Sequence, residues 1–316
     1  MKRRQLLVLL SLITACLSGC MNNNGSKEHN DNSSNDYANL RFQYDFDDKY
    51  FKLYNSETLT FSSDFTFDID YPTLDIKIGI PNTFLGKRIK GFYADSYVHC
   101  PFKEIFVDDG IESVSFVEGY CALESIRLPK TIKNIEMQGM RNLKNVLFAD
   151  GVTEICQEGF SSCTYLTSVS IPSSVISIGR GAFESCGLTS VTIPSSVVSI
   201  GEGAFAACNL VSINIPSSVA SIGESAFASN PLTNIIINEG VQSIGGWAFQ
   251  FALVSSVVIP VSVTYIGSFV FSSCSSLTLI QFEGTIEQWN EINKEADWAQ
   301  LSPISTIRCS DGDISL

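Results

Sequence analysis

The chain has 316 residues, 45% of them hydrophobic and 17% charged, with a formal net charge of −13. That composition builds an ordered, core-forming protein of one large or two modest domains. An acidic field of this size excludes nucleic-acid binding, which needs clustered lysine and arginine to meet phosphate.

Residues 1–20 read as an export leader. "MKRRQ" is a basic start, "LLVLLSLITA" an apolar run too short to span a bilayer comfortably, and "LSGC" follows at once. Lys2, Arg3 and Arg4 carry three of the positive charges, so removing the leader takes the net charge to about −16. "LSGC" resembles the bacterial lipobox, which implies lipidation of Cys20 and cleavage before it; "ITAC", ending at Cys16, is a weaker match. Several acyl chains give durable anchoring to a membrane where one does not. An ordinary secretory leader with an incidental cysteine is the alternative. Residues 21–37, "MNNNGSKEHNDNSSNDY", bear almost no aliphatic side chains and predict a flexible tether. Its root-mean-square reach is roughly 20–25 Å, and His29 lies within it.

Residues 38–73 predict an N-terminal β-rich cap. Phe65, Phe67, Ile69 and Tyr71 alternate with Thr66, Asp68 and Asp70, the pattern of a strand with one wet face. Asp64, Asp68 and Asp70 lack the glycine-punctuated loop and the closing glutamate of an EF-hand, so they read as a solvated acidic face and not as a calcium site.

From residue 74 the chain repeats itself. "IPSSVISIGRGAF" begins at Ile171, "IPSSVVSIGEGAF" at Ile193 and "IPSSVASIGESAF" at Ile215. Repeat starts fall at Leu74, Phe102, Leu123, Leu143, Leu166, Leu188, Leu210, Leu232, Val254 and Leu277, with 22-residue spacing four times in succession. A fixed period in this range marks a solenoid. In the copy from Leu188, Leu188, Val191 and Ile193 follow L-x-x-L-x-L, a short strand whose alternate side chains enter one core, Pro194 stops the strand, and Ser195 and Ser196 make a solvated corner. Val197 and Ile200 return inward, Gly201 is assigned a turn conformation, and Phe205 fills the interior ahead of Cys208. Where proline is missing, "DDGI" at Asp108, "ADGV" at Ala149 and "NEGV" at Asn238 supply a glycine corner instead. Two chemistries for one bend argue that the bend is a requirement of the fold.

The chemistry-bearing residues are few. Cys163, Cys186, Cys208 and Cys274 share one repeat position with Asn230 and Ala252, which reads as a small buried site carrying a thiol ladder. A Cys186–Cys208 bridge across the ~4.8 Å rung spacing stays open as the alternative. Cys100, Cys121, Cys156 and Cys309 show no pairing, and the absence of C-x-x-C argues against zinc. His99, beside Cys100, is the one histidine outside the tether, and adjacent residues on an extended segment point to opposite faces, so a Cys–His pair is not expected. "GEGAF" at Gly201 lacks the third glycine of a phosphate loop. No enzyme activity, cofactor or metal is expected. Residues 285–316 predict a C-terminal cap, in which Ile286, Trp289 and Ile292 share one face of a short helix starting near Thr285; a ligand-binding pair of Trp289 and Trp298 is the alternative.

The unit "L-x-S-V-x-I-P-S-S-V-x-S-I-G-x-x-A-F-x-x-C", together with the ending "FEGTIEQWNEI…WAQ…STIRCSDGDI", resembles the BspA-like leucine-rich repeat proteins of bacteria across roughly residues 74–316. The resemblance implies a β-rich leucine-rich-repeat solenoid over residues 74–284, with parallel strands one per ~22-residue repeat, short turns or helical turns on the other side, and a cap at each end. It implies a surface or secreted binding protein with no catalytic site. Outward strand positions then form two rows: Ser168, Ser190, Ser212, Asn234, Ser256, Leu279, and Ser170, Thr192, Asn214, Ile236, Val258, Gln281. This nearly uncharged face is either neutral filler or a broad candidate ligand face for a protein or glycan macromolecule on a host or neighbouring cell. The expected role is a lipid-anchored adhesion protein of the bacterial envelope; the alternative is a scaffold binding cell-wall polymer or another envelope protein.

Overall fold

The computed structural model describes residues 51–54, 58–61, 77–80, 83–84, 87–88, 90–94, 103–116 and 122–316. The repeats form a parallel-strand solenoid in which the rungs from residue 122 onward have three sides. A long-strand side carries four-residue strands such as Ser125–Leu128, Asn145–Phe148, Ser212–Ile215, Asn234–Ile237, Ser256–Ile259 and Leu279–Phe282. A short-strand side carries two-residue strands from Glu154–Ile155 through Ser177–Ile178, Ser199–Ile200, Ser221–Ile222, Ser243–Ile244 and Tyr265–Ile266 to Asn293–Lys294. The third side is a run of turns that carries one buried phenylalanine per rung from Phe160 to Phe271.

The two strand sides behave differently. The seven short strands form one unbroken parallel sheet, with Ser over Ser and Ile over Ile in the four from Ser177–Ile178 to Ser243–Ile244. The long-strand side is divided into separate sheets, and proline explains where. A corner residue other than proline donates its amide to the end of the preceding strand: Asp108 to Ile80 (3.0 Å), Ala149 to Leu128 (2.9 Å), Asn238 to Ile215 (3.2 Å) and Glu283 to Ile259 (3.1 Å). Each of those four junctions is a ladder of four residue pairs. Proline has no amide proton to give. The junction into Pro129 keeps three pairs, and those into Pro172, Pro194, Pro216 and Pro260 form no ladder. Val169 and Val191, on the two rungs that open most, are correspondingly only partly buried against the core.

Both corner chemistries make the same turn. The amides of Val175, Val197, Val219 and Val263 bond the carbonyls of Pro172, Pro194, Pro216 and Pro260, and those of Val152 and Val241 bond Ala149 and Asn238 equivalently. In the second kind Gly151 (φ 99°) and Gly240 (φ 115°) take the left-handed conformation that glycine tolerates. The assignment of a turn conformation to Gly201 is corrected by the structure. Its φ is not positive; a Cβ there would come within 2.6 Å of the Arg180 amide nitrogen, so glycine is demanded by the close approach of rungs. The positive φ belongs to Gly203 (58°).

The interior is a set of columns, each repeat position stacked on its equivalent. Phe160, Phe183, Phe205, Phe227, Phe249 and Phe271 are fully buried, with successive ring centroids 5.5–5.8 Å apart and planes within 14° of parallel. One hydrophobic cluster runs from Ile80 to Cys309. At the C-terminus a single-turn helix, Ile286–Glu291, starts on a capping box between Thr285 and Gln288. It buries Trp289, which packs edge-on against Phe282 and Trp298. Strand Thr306–Cys309 then pairs in parallel with Leu279–Phe282, and a final antiparallel strand, Gly312–Ser315, ends that sheet.

Candidate binding faces

Of the twelve outward positions in the two expected rows, ten are exposed; Leu279 and Gln281 are half-buried because Thr306 and Arg308 pair beside them. The rows are not backed by one continuous ladder. Pairing is interrupted before Ser212 and again between Ile237 and Ser256. Asn214 is engaged laterally: its Oδ1 accepts from Asn238 Nδ2 at 2.7 Å, and the same amide group bonds the Ile215 carbonyl at 2.7 Å. Ile236 and Val258 are 43% and 38% exposed and make the C-terminal part of the face apolar. The sequence rows stopped at Ser168, but Asn145 and Leu147 pair with Ser125 and Arg127 on the same side, so the face continues toward the N-terminus and gains a charge there. The looser spacing of the early repeats hid that register.

The described cysteines are buried and unbridged: Cys163, Cys186, Cys208 and Cys274 of the repeat column, and Cys156 and Cys309 outside it. Each repeat thiol donates to a main-chain carbonyl one rung back, Cys163 to Met137 (3.2 Å), Cys186 to Phe160 (3.0 Å), Cys208 to Phe183 (3.1 Å) and Cys274 to Phe249 (3.2 Å). Asn230 takes the same role toward Phe205 (2.8 Å). Its Nδ2 also reaches the Phe227 carbonyl (3.0 Å), which Ala252 on the next rung has no side-chain donor to serve, and its Oδ1 accepts the Leu210 amide (3.0 Å). The position is therefore a donor site and not merely a small one. Burial pushes the Cys156 and Cys274 thiols up to about 11 and Cys208 up to about 12; Cys186 is raised first by its hydrogen bond with Cys163 and then by burial. Thiols held in this way are not nucleophiles at neutral pH.

Among the described residues no group of three or more His, Cys, Asp or Glu side chains is arranged to hold a metal ion, and no helix is long and apolar enough to cross a membrane. Cys16, Cys20, the tether with His29, Asp64, Asp68, Asp70, His99, Cys100 and Cys121 lie outside the described residues.

Stacked rungs, inward leucine columns and a short parallel strand in each repeat define the class, a leucine-rich repeat solenoid, a type of fold that serves as a binding scaffold. The model of the BspA type leucine rich repeat region matches residues 90–210 and 176–296, and the chain belongs to that family. A leucine-rich repeat protein from Bacteroides ovatus is similar in structure, with a TM-score of 0.51 and 18% identity over 85% of this chain and 72% of that one. A leucine rich cell surface protein from Faecalibacterium prausnitzii is 20% identical over 79% of this chain and 97% of its own, with a TM-score of 0.31. The pneumococcal vaccine antigen PcpA is 16% identical over 74% and 72% of the two chains, with a TM-score of 0.39. No curated protein matches the chain.

Proposed function

We propose that the protein is a lipid-anchored, non-enzymatic binding protein of the bacterial cell surface that engages a protein or glycan through its long-strand face. The carrying observation is the pair of rows from Ser168 to Gln281, uncharged throughout and exposed at ten of twelve positions. A surface of short hydroxyl and amide side chains interrupted by Ile236 and Val258 suits many weak contacts spread over several rungs. The lipobox-like "LSGC" supports anchoring through Cys20, and residues 21–37 would hold the solenoid off the membrane.

Three measurements test this reading. Mass spectrometry of the membrane fraction finds the acylated N-terminus at Cys20 and loses it in Cys20→Ala. Protease shaving of intact cells releases the solenoid. Substituting Ser190, Ser212 and Asn234 together by glutamate leaves the melting temperature near that of the parent and abolishes retention of matrix proteins or bacterial glycans by the full chain. Retention unchanged by those three charges removes the long-strand face from the account. Failure of shaving removes outward display and favours an inward-facing envelope scaffold.

A further inference from the structure

The early rungs pair their charges across the rung spacing: Lys133 with Glu112 (2.9 Å), Lys144 with Glu124 (2.9 Å) and Arg180 with Glu202 (3.5 Å). After Arg180 the pattern stops. Residues 181–293 contain seven glutamates and no lysine, arginine or histidine. Lys294, the next cation, turns inward, donating to the Trp289 and Ile292 carbonyls with its Nζ 5.0 Å from the Trp289 ring centroid.

In the middle of this cation-free stretch the turn side changes character. Its first left-handed position holds Glu158 and then Gly181, Gly203 and Ser225 in the next three rungs, followed by Trp247 (φ 55°) and Phe269 (φ 57°). Left-handed backbone is costly for a bulky side chain and easy for glycine. The two rings stack on each other at 5.3 Å and 20° and stay half-buried at the surface. They do not complete the core, since Phe249 and Phe271 already fill it. The second left-handed position holds Ser185, Ala207 and Ser229, then Phe251, which is 50% exposed. On the short-strand side, Tyr265 follows Ser177, Ser199, Ser221 and Ser243 in register and donates its phenol to Glu295 at 3.2 Å. Ionisation of that phenol is opposed by partial burial first and then by Glu295, with Glu224 adding to it from two rungs back. The Glu224 backbone itself abuts Gly245, two residues before Trp247.

Four aromatic side chains thus replace small ones between residues 247 and 269, at surface positions where the repeat itself favours glycine, serine or alanine, in a region with no cation to answer its carboxylates. We propose that the shelf formed by Trp247, Phe269 and Tyr265, bordered by Glu224 and Glu295, docks a basic protein segment whose arginine or lysine side chains lie against the rings and pair with the carboxylates. Cation–π attraction and charge pairing act on the same group there. A neutral glycan uses rings but gains nothing from the missing cations, which is why the observations favour a basic segment. The shelf is separate from the long-strand face and stands or falls independently of it.

The test measures fluorescence anisotropy of a labelled peptide alternating arginine and serine, titrated with the full chain, beside a glutamate–serine peptide and a neutral β-glucan oligosaccharide as competitor. The arginine peptide binds, salt weakens it, and the glutamate peptide does not bind. Joint Trp247→Ser and Phe269→Ser, which restores the residue of Ser225 in the preceding rung, keeps or raises the melting temperature and lowers affinity about tenfold. Glu224→Gln also weakens binding, while Glu202→Gln, at the site paired with Arg180, does not. Equal binding by the folded double-serine variant overturns the proposal. So does displacement of the peptide by the neutral oligosaccharide, or equal weakening by Glu202→Gln and Glu224→Gln.

Discussion

At Asn230 one side chain completes two rungs. Its amide serves the Phe205 carbonyl as a cysteine thiol would, and also the Phe227 carbonyl that Ala252 leaves without a side-chain donor. Asn230→Ala strands buried groups and should cost ~1–3 kcal/mol. Asn230→Cys keeps the bond to Phe205 and should cost less, and adding Ala252→Cys should recover part of that loss by giving Phe227 a thiol donor; urea unfolding of the three variants measures the order. The alternation of Cys, Asn and Ala was legible in the sequence as a small buried site, but the bond it must donate was not, because the acceptor sits one rung away. The buried thiols carry a second prediction. Their folded pKa values lie above the ordinary 9.0, so the folded chain retains protons that the unfolded chain releases. The stability they contribute is complete below about pH 9 and is lost as pH rises through the 11–12 region. Alkylation by iodoacetamide at pH 8 should likewise leave Cys186 and Cys208 unmodified until denaturant is added.

At the scale of elements, the two strand sides should differ in amide protection. Short-strand amides bond rung to rung without interruption, as Gly179, Gly201, Gly223 and Gly245 do to the isoleucine carbonyls one rung back. Residues 169–171 and 191–193 lie where proline has opened the long-strand ladder. Hydrogen exchange should therefore be faster at 169–171 and 191–193 than at 177–179 and 199–201 of the same rungs; equal protection would contradict the role given to proline. The corner and the closing helix were legible locally, from proline and from the spacing of Ile286, Trp289 and Ile292, whereas the strand read over residues 188–193 is not formed, because no ladder joins that stretch to its neighbours. Which side carries the unbroken sheet was not legible. The repeats from Leu166, Leu188, Leu210 and Val254 all read as a strand ending in Ile-Pro, and only the pairing register shows that proline's missing proton falls on the bond to the preceding rung. The close approach at Gly201 was hidden for the same reason.

Across the whole molecule the rungs hold one another. Backbone bonds run from Phe183 to Ala204, Phe205 to Ala226 and Phe227 to Ala248, and the phenylalanine rings stack through the same rungs. No rung encloses its own apolar side chains, so stability belongs to the stack. The repeat period made this legible from the sequence, whereas the aromatic shelf at Trp247 and Phe269 emerged only when those residues fell at a left-handed position held by glycine or serine in the three preceding rungs. Hydrogen exchange of Phe205→Ala tests the shared core most directly. Removing the ring should cost ~3–5 kcal/mol, and protection should fall at 181–185 and 225–229 as much as at 203–207. A loss confined to residues 188–209 would mean that each coil carries its own core, and would contradict the account.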